Sequence, residues 1–254
     1  ERVLVELMKA LLKADKPSIF FRQLKNMGQL DFWFSRVSEL VGIPQNPKYH
    51  QEGDVFTHTM MVLDEAAKKR DKVKNPVGFM LSALTHDLGK ITATKTEMGE
   101  LHSYMHEKEG LPLAKEFLHR LTNEKNLIRY VLNMIENHMR PNTLAADNSS
   151  VKATNKMFDA SCEPFDLIQL ALADSMGKTP RGEYEKAEKF LLERLEVYNE
   201  IMSRPFVEGA DLIKAGLTPG AEFTKLLDYA HKLRLAGVKK ESALKQTLAY
   251  KDSL

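Results

Sequence analysis

Apolar residues recur three and four positions apart through almost the whole of this 254-residue chain, while period-two alternation rich in Val, Ile and Thr is nearly absent. A chain patterned this way can hide its apolar stripes only by packing helix on helix, so the fold class is read as all-α. Val3, Leu4, Leu7, Leu11 and Leu12 mark the first stripe, which has to stop before Pro17 because the ring breaks the hydrogen-bond ladder. Further helices are expected over Ser18 to Met27, Asp31 to Val41, His106 to Leu121, Asn126 to His138 and Gly182 to Met202. The helix carrying His58 is expected to start on Asp54 or Thr57 as N-cap. The apolar run "NPVGFMLSALTHDLGK" reads as a buried helix ended by Gly89, and "PFDLIQLALADSMGK" as a second buried helix interrupted by Asp174. Pro141 is expected to close the helix before it, "NTLAADNSSVKATNK" reads as a loop, and the tail reads as three short helices with Pro219 at an N-terminal turn.

Composition narrows the chemistry. Hydrophobic residues at 43% and charged residues at 28% leave enough apolar material for a core, which excludes a disordered chain. A net charge of +2 is too small to imply nucleic-acid binding by itself. Cys162 is the only cysteine, so any metal must be held by His and carboxylates. No apolar run approaches the ~20 residues that span a bilayer, and the amphipathic start is no cleavable signal, so the expected location is cytoplasmic with no membrane partner. The absence of an initiator Met suggests trimming or an omitted upstream segment.

Six polar residues stand at or near expected helix ends: His58, His86, Asp87, His106, His138 and Asp174. Any one of them has a structural explanation as a cap or a hydrogen-bonded core residue. The adjacent pair His86-Asp87 has a narrower one. Consecutive helical residues diverge by ~100°, so both reach one centre only if it lies between their directions, beside the helix end. Neutral imidazole and carboxylate together suit a divalent metal ion, Mn, Mg, Fe, Co, Ni or Zn.

In order, "FTHT", "THDLGK" and "LADS" resemble the H…HD…D pattern of the HD superfamily of metal-dependent phosphohydrolases. The resemblance implies His58, His86, Asp87 and Asp174 as metal ligands in an HD-domain helical bundle. It divides the chain into an N-terminal helical extension (1–45), the HD domain (46–204) and a C-terminal helical tail (205–254). "MHEKEG" and "IENHMRP" resemble the additional histidine positions of HD proteins, which implies that His106 and His138 bind a second ion or orient substrate phosphate. Asp87 is then placed to orient or deprotonate water. Lys90, Arg140 and the loop residue His50 are candidates for holding phosphate, each with a plain surface role as the alternative. Glu52 and Asp54 read as caps of the next helix. His102 either shares the helical face of His106 or is a surface residue.

A longer stretch, "FFRQLKNMGQLDFWFSRVSELVGIPQNPKYHQEGDVFTHTMMVLD", together with "GADLIKAGLTPGAEF", is similar to the C-terminal portion of bacterial tRNA nucleotidyltransferases, the CCA-adding enzymes with an HD domain. That resemblance implies hydrolysis of a nucleotide or RNA-end phosphoester, as a 2′,3′-cyclic phosphodiesterase, 2′-nucleotidase or phosphatase, with tRNA as a possible partner and a nucleotidyltransferase domain upstream. No Gly-Ser turn followed by paired strand carboxylates occurs here. "MRPNTL" lacks the Gly-Tyr-Pro of cyclic-di-GMP phosphodiesterases, and "HDLGK" lacks the acidic pair of guanosine tetraphosphate hydrolases. The rival readings are an RNA-binding helical module using "AHKLRLAGVKKESALK", or a nucleotide sensor whose metal site does not turn over.

Overall fold

The computed structural model describes residues 2–180 and 184–251. Helices dominate it, in the order α1 (Arg2–Lys13), α2 (Ser18–Asn26), α3 (Leu30–Ser38), α4 (Val55–Ala67), α5 (Pro76–Thr85) and the short α6 (Lys90–Ala93). A two-stranded hairpin, β1 (Lys95–Glu97) and β2 (Glu100–His102), precedes α7 (His106–Leu121), α8 (Lys125–Asn137), α9 (Arg140–Ala146), α10 (Val151–Ala160) and α11 (Pro164–Met176). Then follow α12 (Tyr184–Ser203), α13 (Gly209–Lys214), α14 (Glu222–Leu235) and α15 (Lys240–Lys251). The all-α expectation holds.

The centre is built on α5. Every residue from Gly78 to Thr85 is buried, and α1, α4, α8 and α11 pack around the helix. A helix apolar all round can only be stable when enclosed in this way. Phe56, Met60 and Leu63 of α4, Met80 and Leu84 of α5, and Met134 and Ile135 of α8 belong to one continuous core. Burying a side chain of this size contributes about 1.5–3 kcal/mol, so the enclosed helix is a rigid base for whatever stands at its end. A separate apolar cluster, with Phe206, Leu212, Leu226, Ala230 and Ala243, holds α13, α14 and α15 together. Asn155 of α10 donates to the Leu235 carbonyl (2.9 Å), linking α14 to the bundle.

Four local expectations change. The segment read as a loop after His138 contains α9 and α10. Pro141 sits in the first turn of α9, where its missing N–H costs nothing, and Ser150 caps α10 by accepting from Ala153 N. The hairpin had no apolar alternation to announce it, because its strands are largely exposed; its turn rests on left-handed backbone at Met98 (φ 52°) and Gly99 (φ 84°). Gly89 is no helix terminator, since its backbone is right-handed helical and leads into α6. A Cβ there would lie 1.9 Å from the His106 carbonyl oxygen and 2.5 Å from Gly110 N, so glycine is needed for the close approach of α7. His102 lies on β2 rather than on the helix of His106. The expected start of α12 at Gly182 lies outside the described residues. Among the described residues, no helix is long and apolar enough to cross a membrane.

Candidate metal centre

Each element delivers one polar group to the same place. Asp54, in extended backbone, accepts from Thr57 N (2.8 Å) and starts α4, so that His58 falls in the first turn with its face inward. Asp54 also accepts from Gly42 N (2.7 Å), which ties the preceding loop to the cap. His86 follows the last residue of α5, and Asp87 stands in the turn leading to α6. Asp174 comes from the last turn of α11, just before Gly177. A Cβ at Gly177 would lie 2.6 Å from Val62 N, so that glycine lets the end of α11 pack directly on α4. His106 opens α7 and His138 follows α8.

The side chains converge. His58 Nε2 lies 3.1 Å from Asp174 Oδ1 and 3.5 Å from Asp87 Oδ2. His86 Nε2 lies 3.3 Å from Asp87 Oδ2 and 4.0 Å from Asp174 Oδ1. The other oxygen of Asp87, Oδ1, is 3.3 Å from His106 Nε2, which is itself 3.2 Å from His138 Nε2. Thus His58, His86 and Asp174 form one group, His106 and His138 another, and Asp87 has an oxygen toward each. All six are buried.

The imidazole protons are already accounted for. His86 Nδ1 faces the Ala83 carbonyl (2.9 Å), His106 Nδ1 that of Ser103 (2.8 Å), and His138 Nδ1 that of Ile135 (2.6 Å). His58 Nδ1 faces Glu52 Oε1 (3.0 Å) and the Gly177 carbonyl (3.2 Å). Carbonyls and carboxylates only accept, so these contacts assign the proton to Nδ1 in each ring and leave a lone pair on Nε2. The four Nε2 atoms are then turned toward two carboxylates that also only accept. His58 Nε2 and His86 Nε2 are buried without a hydrogen-bond partner, and the one ammonium at Asp87 Oδ2 is that of Lys90, 2.8 Å away. Buried acceptors without a donor are costly, and a cation is the group that would satisfy them together. The residues present therefore fit a divalent ion held by His58, His86, Asp87 and Asp174, with His106 and His138 beside it.

Charge points the same way. Asp87 and Asp174 are held well below the usual carboxylate range: burial opposes their charge, but His86 and Lys90 outweigh it at Asp87, and His58 at Asp174. Glu52 is pulled down to about 2 by His58, Thr179 N and His50 despite its burial. Burial likewise opposes the charge on His58, yet Asp174 and Glu52 raise its pKa to about 9. His138 is pushed down to about 3 by burial and by His106 and His86. Asp87, Asp174 and Glu52 bring three carboxylates to the cluster, and Lys90 is the ammonium in contact with Asp87. A divalent ion at the cluster would offset the charge of these carboxylates and displace a proton from any imidazole that carries two.

Lys90 is where the sequence expectation changes most. Its buried Nζ is 2.8 Å from Asp87 Oδ2 and donates to Gln45 Oε1 (2.8 Å), so it steadies Asp87 instead of extending outward. Arg140 donates to Asn137 Oδ1 (3.0 Å) and does not line the cleft beside the cluster. His50 does line that cleft, with its ring edge-on to His58 and Nδ1 2.7 Å from Glu52 Oε1. Glu52, read from sequence as a cap, is instead the partner of His58 and accepts from Thr179 N (2.9 Å). It lies in a connection without periodicity, and only the folded chain brings it beneath His58.

The HD domain family model matches residues 55–233, which contain all six converging residues. Among curated relatives, the Multifunctional CCA protein of Methylococcus capsulatus is 33% identical over 218 residues, covering 82% of this chain and 49% of that protein. Proteins of the same name from Pasteurella multocida (38% identical, 47% of this chain and 28% of that protein) and Actinobacillus pleuropneumoniae serotype 5b (32% identical, 57% and 34%) are also similar. The chain thus spans half or less of the length of these relatives. With a helical fold, buried His/Asp clusters and a family match over most of its length, the chain belongs to the HD domain family of metal-dependent phosphohydrolases.

Proposed function

We propose that this chain hydrolyses a phosphoester on a nucleotide or RNA end, as a 2′,3′-cyclic phosphodiesterase, 2′-nucleotidase or related phosphatase, with a divalent ion held by His58, His86, Asp87 and Asp174. The observation that carries the reading is the convergence of the Nε2 atoms of His58, His86, His106 and His138 on the buried Asp87 and Asp174 carboxylates, with His58 Nε2 and His86 Nε2 lacking a hydrogen-bond partner. A bound divalent ion supplies neutralisation of phosphoryl charge and a water of lowered pKa.

The protein's own groups do the rest. Glu52 and three backbone carbonyls fix the imidazole tautomers, so that Nε2 is presented every time. Lys90 holds the Asp87 carboxylate in place from one side, and His106 meets its other oxygen. Asp87, as the shared base, is the group to orient or accept a proton from attacking water, and His106 and His138 are the groups nearest an incoming phosphate or a second ion. His50, at the mouth of the cleft, is a further phosphate contact. Arg140 would reach a phosphate only by leaving Asn137. The substrate class, with tRNA as its RNA source, is supported by the similarity to CCA proteins and by an adjoining cavity of about 870 Å³, within the ~300–1,000 Å³ usual for small-molecule sites.

The test is hydrolysis of a chromogenic phosphodiester and of 2′,3′-cyclic nucleotides with Mn, Mg, Fe, Co, Ni or Zn supplied in turn. Turnover in at least one metal, lost in His86→Ala and Asp87→Ala, is expected. Variants as active as the parent would mean that the site is elsewhere.

A further inference from the structure

The 870 Å³ cavity is much larger than a phosphate needs, and its lining combines the polar groups His50, Lys90 and His106 with the rings of Tyr49, His102 and Tyr104. His50, Lys90 and His106 line it and also contact Glu52 or Asp87, which joins the cavity to the cluster. The walls are the connection carrying Pro44 to His50 and the hairpin with the residues after it, Gly99 to Tyr104. Asn46 Nδ2 reaches across to the Leu101 carbonyl (3.5 Å), so the two walls meet.

Aromatic rings stand on both walls and are left open to solvent. Tyr49 is 55% and Tyr104 68% exposed, with no hydrophobic core behind them. Tyr104 is stacked on His102, with ring centroids 4.7 Å apart and planes 12° from parallel, so each ring covers one face of the other. Lys48 Nζ lies over the Tyr49 ring, 5.3 Å from its centroid. Exposed rings cost solvation and contribute nothing to the core, whereas a π-face beside phosphate-binding groups is what stacks a nucleobase.

We propose that Tyr49 and the stacked His102–Tyr104 pair form a platform for the base of a nucleotide or RNA terminus, whose phosphate lies toward His50 and His106. This rests on the hydrolase reading for what happens at the phosphate end, but the platform itself requires no turnover. It makes the cleft selective for phosphoesters that carry a base, and it tolerates different bases because each has a π-face.

Two probes that cannot be consumed separate base binding from phosphate binding: adenosine, which has a base and no phosphate, and inorganic phosphate, which has no base. Isothermal titration is the readout, on the full chain with and without Mn. The expected result is about a tenfold loss of adenosine affinity in Tyr104→Ala and in Tyr49→Ala, the loss of one stacked face, with Tyr104→Phe binding as the parent does. The ratio of adenosine to phosphate affinity therefore falls in both Ala variants. A trinucleotide tests the source of the base: tighter binding than adenosine with the same dependence on Tyr104 assigns the platform to an RNA end, and equal binding assigns it to a free nucleotide. Adenosine affinity that is undetectable in the parent, that is the same in parent and Ala variants, or that is as weak in Tyr104→Phe as in Tyr104→Ala overturns the proposal. If the adenosine result holds while no phosphoester is hydrolysed in any metal, the hydrolase reading alone fails.

Discussion

Glu52 Oε1 lies 3.0 Å from His58 Nδ1, with the two side chains 2% and 1% exposed, so the imidazole is fixed at one nitrogen and presents the other to the cluster. A carboxylate behind a ligating histidine sets its tautomer and raises its basicity, and removing such a partner costs about 10–100-fold in metal affinity. Glu52→Gln should therefore weaken divalent-ion binding by about that range, as read by metal titration. Glu52→Asp is expected to fall between Gln and the parent. Unchanged affinity in Glu52→Gln would show that the contact is only structural.

Gly89→Ala should lower stability by about 3 kcal/mol, because the new Cβ meets backbone rather than a yielding side chain. The relief available is a retreat of α7, which carries His106 away from Asp87. Thermal unfolding reads the first effect. A metal titration reads the second, with a weakened or missing second equivalent wherever the parent binds two.

Asp166 is a buried hub that accepts from Lys74 N (3.0 Å), Asn75 N (3.2 Å) and Tyr130 Oη (2.6 Å). Burial and this carboxylate push the Tyr130 phenol far up, so Tyr130 should show no ultraviolet titration before the protein unfolds in alkali. Tyr130→Phe removes one charge-assisted bond and should cost about 1.5–3 kcal/mol in denaturant unfolding. Asp166→Ala strands three donors and should cost more.

Asp54 gives a pH signature well away from the histidines. Burial would raise its pKa, but hydrogen bonds from Thr57 and Gly42 overcome that and hold it below the usual aspartate value. The unfolded-state value is ~3.9, and a depressed folded-state pKa means stability that is complete above it and is lost as pH falls through the folded value. Asp54→Ala should thus cost about 1 kcal/mol at neutral pH, and the gap between variant and parent should close below pH ~4. A gap that stays constant down to acid pH would contradict this.

The helical pattern and the six converging residues were legible because each lies on or beside a strongly periodic segment, where an interrupting His or Asp stands out. The spatial sorting was not. Sequence placed His86 and Asp87 side by side but did not show one Asp87 oxygen facing His106 and the other facing His58 and His86. Glu52, Gln45 and the aromatic walls lie in connections and an exposed hairpin, where no periodicity marks a residue's direction. Gly89 illustrates the ambiguity of one residue type, since a glycine after an apolar run signals either a helix end or a close approach, and here it is the second. Ser150 and Pro141 show that a polar stretch with good capping residues can be helix despite its loop-like composition.

The most direct measurement is the stoichiometry of divalent-ion binding to the parent and to Asp87→Ala, by elemental analysis after dialysis, with circular dichroism confirming that both remain helical. Because Asp87 offers an oxygen to both groups of histidines, the expected result is one or two equivalents of metal in the parent and essentially none in the variant. A parent that binds no divalent ion, or an Asp87→Ala variant that keeps the full complement, would contradict the assignment of this cluster as a metal centre.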